Sequence, residues 1–187
     1  ELINKIVGFN AHVTIKPYEN RINPLKIKDK NLKSISENLI LSNSGEAIII
    51  NNNHSKGIVL RGYSKEDFPK LEIIKDKKFI GNKNNLIKNN ISIGKELSFT
   101  LGVKIGDSIN IMSSSGVETI IGNLPKQKTF KISSLFESGL VDFDSNVVFM
   151  NLETLEEFID LDPQKRNLEI YLKNPQIIEK HKMTIQK

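Results

Sequence analysis

Three carboxylates, Glu137, Asp142 and Asp144, lie in the short stretch FESGLVDFDSN. Paired carboxylates can divide the work of general acid and base, or hold a cation. The stretch lacks the spaced oxygen ligands and closing Glu of a calcium loop. A small hydrolase would use Glu137, Asp142 and Asp144 together. The plainer reading is a solvated loop with Asp-based turns, on which the double change Asp142→Asn, Asp144→Asn leaves the structure intact. His12, His54 and His181 are the three histidines, and no two have metal-ligand spacing or an HExxH context. Gly94–Lys95 is not part of a GxxxxGK[ST] loop, and the serines at 113–115 lack GxSxG. With no Cys, disulfides and thiolate metal sites are excluded. The residues thus offer no catalytic constellation, metal site or cofactor site, and the chain reads as non-enzymatic.

A different chemistry is offered by GVETIIGNLPKQKTF, residues 116–130. Gly122 and Pro125 bracket a turn-forming stretch, with Lys126 and Lys128 behind it and apolar strand patterns on both sides. An ordinary polar hairpin tip is one reading. A protruding arm is the other: Leu124 beside a rigid Pro125 suits docking because little entropy is lost on binding, and the lysines would steer an acidic partner.

The elements that must position these residues follow from periodicity and punctuation. ELINKIVGF has helical spacing, and AHVTIK alternates as a strand ended by Pro17. Residues 18–45 are polar, with a short helix expected in NLKSISENL. EAIII and GIVLRGY read as strands joined by an Asn-rich turn. SKEDF reads as the start of a short helix, and residues 74–90 as a loop or weak helix. Then come strand ISI, helix GKELSFTLG ended by Gly102, turn VKIGD, and the strands SINIM and FKISSLF that bracket the arm. FESGLVDFDSN reads as a loop or short strand, NVVFM as a strand, LETLEEFIDL as a helix capped by Asn151, NLEIYLK as a strand and NPQIIEKHKM as a last helix. The sum is an α+β chain.

Composition bounds the partners. The 187 residues are 38% hydrophobic, enough for a core, so global disorder is excluded. The net charge of +5 is a modest excess that favours an anionic membrane or an acidic partner. Aromatics make up 6% and do not interleave with a basic stripe, which argues against nucleic acid. No apolar run approaches the ~20 residues of a membrane span, and the first residue is Glu, so the chain reads as a fragment of something longer.

The order of motifs resembles the periplasmic domain of the LolC/LolE lipoprotein-releasing permeases. Gly94, Leu97, Leu101, Gly102, Gly106 and Asp107 match one part of that pattern, and Gly122, Pro125, Lys128, Phe130, Phe136, Gly139 and Asp142 match a second. GIVLRGYSKEDF is similar to a third stretch, with Lys65 in place of a Pro. ELINKIVGFNAHVTI is similar to the exit of the first transmembrane helix. The match covers residues 1–15 and 57–172.

The resemblance implies an α+β, MacB-like periplasmic domain of two subdomains with a protruding β-hairpin arm. It would fill residues 1–187 between transmembrane helices 1 and 2. The subdomains would be 1–23 with 91–187, a strand-rich lobe bearing the arm, and 24–90, an inserted α+β lobe. The implied place is the bacterial inner membrane, with this domain in the periplasm. The implied partners are a LolA-like lipoprotein carrier, lipoprotein cargo, a LolD-like cytoplasmic ATPase, a second permease copy as homo- or heterodimer, and the membrane through flanking helices. The carrier-binding Hook of LolC-type permeases would fall on Ser113–Pro125, with contacts at Ser113, Ile120, Ile121, Gly122, Asn123, Leu124 and Pro125, followed by Gln127 and Lys128. Ser113 and Ile120 stand where such Hooks carry Pro, and Lys128 replaces an Arg. A LolC-like, a LolE-like or a combined role stays open, as does the same fold in a MacB-like efflux or FtsX-like signalling permease.

Overall fold

The computed structural model describes residues 10–18, 23–27, 30–52, 54–120 and 122–174. The helices expected at ELINKIVGF and NPQIIEKHKM, and Ile121 and His181, lie outside these. The chain divides into two compact units, residues 1–42 with 162–187, and residues 43–161. Both mix strands with short helices, the α+β class expected. The division differs from the expected boundaries after residues 23 and 90. The reason is that the strands between residues 43 and 90 take their partners from between residues 90 and 151.

The first unit holds β1 (Val13–Ile15), a one-turn helix at Pro24–Lys26, helix α1 (Lys30–Ile35), the first part of β2 (Ser36–Asn51) and a last strand, Asn167–Leu172. Both β1 and β2 pair antiparallel with that last strand, so Val13 and Leu39 flank Ile170. Leu32, Leu168, Ile170 and Leu172 are buried together, with Val13, Ile15, Ile27 and Leu39 packed against them. The expected helix NLKSISENL therefore stops at Ile35, and the polar residues after it form a strand. The polar side chains tolerate this because they are satisfied locally. Ser42 donates from its hydroxyl to Glu169 Oε1 (2.7 Å), and the Tyr171 hydroxyl donates to Glu169 Oε2 (2.9 Å). His12 has a structural use here, its Nδ1 accepting from the Leu172 amide at 2.8 Å.

In the second unit β2 continues to Asn51 and turns at Asn52, whose φ of 50° suits an Asn, into β3 (His54–Tyr63). The chain then forms a one-turn helix at Phe68–Lys70, α2 (Glu72–Lys75), β4 (Ile80–Gly81), β5 (Asn90–Gly94) and α3 (Lys95–Leu101). Next come β6 (Ser108–Thr119), β7 (Gly122–Phe136), α4 (Val141–Asn146), β8 (Val147–Asn151) and α5 (Leu152–Ile159), which leads back to the first unit's last strand, β9. The helix expected to start in SKEDF is a turn in which Ser64 Oγ accepts from the Asp67 amide at 3.0 Å.

Six strands of this unit pair in the order β2-β3-β8-β5-β7-β6, and β6 pairs again with β2, so the ladder closes on itself. β3 with β8 and β5 with β7 are parallel pairs. Closure removes free edges. Alternate residues of the ring face one core: Ala47 and Ile49, Ile58 and Leu60, Val148 and Met150, Ile91 and Ile93, Phe130 and Ile132, Ile109 and Ile111. Leu97 and Leu101 of α3 and Leu155, Phe158 and Ile159 of α5 join it. A second set of rings packs Phe149 against Phe136 (4.8 Å), Phe68 (5.6 Å) and Tyr63 (5.8 Å).

Gly94 precedes α3 where the backbone of α4 crosses it. A Cβ built on Gly94 would sit 1.9 Å from the Asp144 carbonyl oxygen, so only glycine fits. Gly102 ends α3 in the left-handed region (φ 63°), as expected of a helix C-cap. Asn151 caps α5, its Oδ1 accepting from the Thr154 amide at 3.1 Å. No helix of the described residues is long and apolar enough to cross a membrane.

Candidate functional site: the β6–β7 hairpin

β6 and β7 pair antiparallel from Ser108↔Lys131 out to Thr119↔Gly122. Their register breaks once. Three residues of β6, 113–115, lie between Met112↔Gln127 and Gly116↔Pro125, opposite the single Lys126. The break is a β-bulge, and bulges bend and twist the strand that carries them. Serines suit it because their side chains bond to nearby backbone. Ser113 Oγ accepts from the Ser115 amide at 2.9 Å and lies 2.6 Å from Ser115 Oγ.

The bulge falls where support from β2 ends. The β2–β6 ladder runs from Ile50↔Asn110 to Ala47↔Ser113 and stops. Beyond it, residues 116–119 and 122–125 pair with each other. At this distal end the Ile120 side chain is fully exposed and Leu124 is 51% exposed. Pro125 is also exposed. Gly122 takes φ 116°, a backbone region open chiefly to glycine.

The expected contact residues are not all alike. Ser113 is buried and bonds within the bulge. Asn123 lies opposite Glu118 in the ladder. Ile121 lies outside the described residues. Gln127 is exposed, while Lys128 is partly covered and holds its ammonium 5.5 Å from the centre of the Phe130 ring.

Residues from elsewhere complete the surroundings. Lys126 pairs with Asp160 at the C-terminal end of α5, where a cation complements the helix dipole. Lys126, Gln127 and Lys128 line a concavity of about 360 Å³ with Glu157 and Phe158 of α5. On the other side of the bulge, Ile48, Gly57, Val59 and Met112 line a shallow groove of about 620 Å³ together with Ser113. These α5, β2 and β3 residues were missed by sequence reasoning. The one signal in the sequence was the outward phase of the alternation in EAIII and GIVLRGY.

The three carboxylates take separate tasks. Asp144 is buried and accepts four hydrogen bonds, from the Ser138 amide (2.9 and 3.1 Å), the Ser138 hydroxyl (2.7 Å) and the Gly139 amide (3.2 Å). It ties the loop before α4 to that helix. Glu137 accepts from Lys95 (2.9 Å) and Lys78 (3.1 Å). Those two hydrogen bonds hold its carboxyl below the ordinary range, and the same bond raises Lys95. Asp142 is exposed on the first turn of α4. The stretch expected as a loop or short strand is thus mostly helix. The expectation that the Asp142→Asn, Asp144→Asn double change is silent is also corrected, because Asp144 holds backbone amides that have no other partner in this loop. Among the described residues there is no group of three His, Cys, Asp or Glu able to hold a metal ion.

No protein-family model matches the chain. The lipoprotein-releasing system transmembrane protein LolC of Xylella fastidiosa (strain Temecula1) is 30% identical over 119 residues, which is 63% of this chain and 29% of that protein. LolC of Neisseria meningitidis serogroup B is 24% identical over 135 residues, 71% of this chain and 32% of that protein. The chain thus spans about a third of the length of these relatives. Among solved structures, the periplasmic region of MacB from Actinobacillus actinomycetemcomitans aligns with a TM-score of 0.56 at 13% identity, over 97% of this chain and 86% of that one. The chain is similar in sequence to LolC lipoprotein-releasing system transmembrane proteins over most of its length and carries the fold of the MacB periplasmic region.

Proposed function

We propose that the chain is the periplasmic domain of an inner-membrane, lipoprotein-releasing ABC permease, lying between its first two transmembrane helices. In this reading the distal β6–β7 hairpin recruits a periplasmic lipoprotein carrier. The domain relays motion driven by an ATPase subunit in the cytoplasm and passes lipoprotein to the carrier, beside a second permease copy. One observation carries the docking role. The hairpin loses its third strand at the Ser113–Ser115 bulge and presents Ile120 and Leu124 to solvent beyond it. A soluble domain gains nothing from holding two large apolar side chains on a two-stranded tip, whereas a docking tip gains contact area at low entropic cost. Gly122 permits the tip turn, Pro125 stiffens it, and Gln127 and Lys128 supply polar contacts at its base. The LolC relatives favour this reading over an efflux or signalling permease of the same fold. A hydrolase using Glu137, Asp142 and Asp144 finds no support in the separate hydrogen-bonded tasks of Asp144 and Glu137.

The test is capture of the carrier by the 187-residue chain. Apolar anchors at the centre of an interface cost at least about 2 kcal/mol when lost. Ile120→Asp with Leu124→Asp should therefore weaken capture at least about thirtyfold. Unchanged capture by that variant, or by a chain whose residues 120–128 are replaced with a Gly-Ser turn, would remove the docking role from the hairpin.

A further inference from the structure

Residues 77–95 contain five lysines (77, 78, 83, 88 and 95) and no Asp or Glu. They run from the end of α2 through β4 and β5 to the start of α3. Among the acids near this stretch, Glu96 follows Lys95 on α3 and acts on it through its charge, and three others are engaged. Glu72 pairs with Lys75, Asp76 Oδ1 accepts from the Lys78 amide at 2.8 Å, and Glu137 is shared by Lys78 and Lys95. Among the described residues Lys77, Lys83 and Lys88 have no ion pair. Lys83 lies over the Phe79 ring at 5.8 Å. Between the lysines two large apolar side chains are exposed, Ile80 (52%) and Ile87 (43%).

Guarding an edge explains part of this pattern. β4 is the terminal strand of the pairing order, and lysines beside an edge strand discourage further pairing. Lys78 and Lys83 suffice for that. Edge protection gives no reason for Lys77 and Lys88, and exposed isoleucines work against it. Interleaved lysines and apolar side chains are the composition of a surface that lies on a membrane, with charges at the headgroups and side chains dipping between them. The cations are all lysines. A hydrated point charge on a flexible stem suits a diffuse layer of headgroups better than a fixed carboxylate on a protein, where the fork of Arg is favoured.

We propose that the 77–95 stretch of the second unit is a docking surface for an anionic phospholipid membrane. It is a different surface from the hairpin, and its test involves no carrier, so either can fail alone. The experiment is sedimentation of the 187-residue chain with vesicles of mixed phosphatidylglycerol and phosphatidylcholine, against pure phosphatidylcholine. Binding is expected to the anionic vesicles only and to fall as salt shortens the screening length. Each lysine near such a surface contributes about fivefold, so Lys77→Gln, Lys83→Gln, Lys88→Gln together should weaken binding on the order of a hundredfold, while Lys→Arg at the same positions should preserve it. Lys77 and Lys88 are exposed and Lys83 is partly covered over Phe79, so a urea midpoint close to the parent's checks that the triple variant is folded. Ile80→Ser with Ile87→Ser should weaken binding further at high salt than at low salt. No binding, equal binding to neutral vesicles, or insensitivity to the Gln variant would overturn the proposal. Binding to poly-glutamate with none to vesicles would also overturn it and assign the surface to an acidic protein.

Discussion

Replacing Gly94 by Ala tests a very tight close approach in the second unit. The new methyl would lie 1.9 Å from the Asp144 carbonyl oxygen, 2.5 Å from its carbon and 2.7 Å from its Cα. The nearest of these is about 1.5 Å short of the 3.4 Å where ordinary contact begins. All three atoms are backbone, so no side-chain rotation relieves the clash. α4 cannot back away freely, because Asp144 is tied to Ser138 and Gly139, and Phe143 packs on Phe136 at 5.9 Å. Overpacking of a fitted site costs about 1–3 kcal/mol, and this one belongs at the upper end because two anchored elements must part. A loss of about 3 kcal/mol, read as a shift in urea midpoint at constant m, corresponds to a fall in Tm on the order of 10 °C for a chain of this size. Gly57→Ala is the control, since a Cβ there meets nothing within 4 Å. A Gly94→Ala chain that unfolds within about 0.5 kcal/mol of the parent would refute the reasoning. Equal losses for Gly94 and Gly57 would do the same.

Two further outcomes follow from the carboxylates. Asp144→Ala strands two backbone amides and a hydroxyl and should cost about 3 kcal/mol in urea unfolding, whereas Asp142→Asn should stay within about 0.5 kcal/mol. Glu137 has a depressed carboxyl in the folded chain. Its contribution is therefore present above the unfolded glutamate value of about 4.3 and is lost as pH falls past it through the folded value. Glu137→Gln should flatten the acid limb of the stability profile slightly and leave neutral pH almost unchanged, as solvated ion pairs contribute little; an unaltered acid limb would count against the Lys78–Glu137–Lys95 bridge.

The sequence by itself determined the elements whose signals are local. The alternation of AHVTIK, GIVLRGY, SINIM and NLEIYLK, the Asn151 cap and the Gly102 stop all depend on neighbours a few residues away, and each appears where the pattern puts it. The hairpin was legible for the same reason. Tertiary structure decided what depends on distant partners. SENLILSNS is too polar to read as a strand, yet it becomes one because Leu168 and Ile170 supply a ladder and Glu169 and Glu156 satisfy Ser42 and Asn43. VDFDSN is too short and Asp-rich to hold a helix by propensity, yet it becomes one because Asp144 accepts the loop amides and Phe143 meets Phe136. How much of the hairpin pairs without a third strand is set likewise by where β2 stops pairing with β6. Local preference fixes how each segment bends. Where a strand loses its neighbour is set by chains far away in sequence, so only the folded ring shows that the tip stands on two strands.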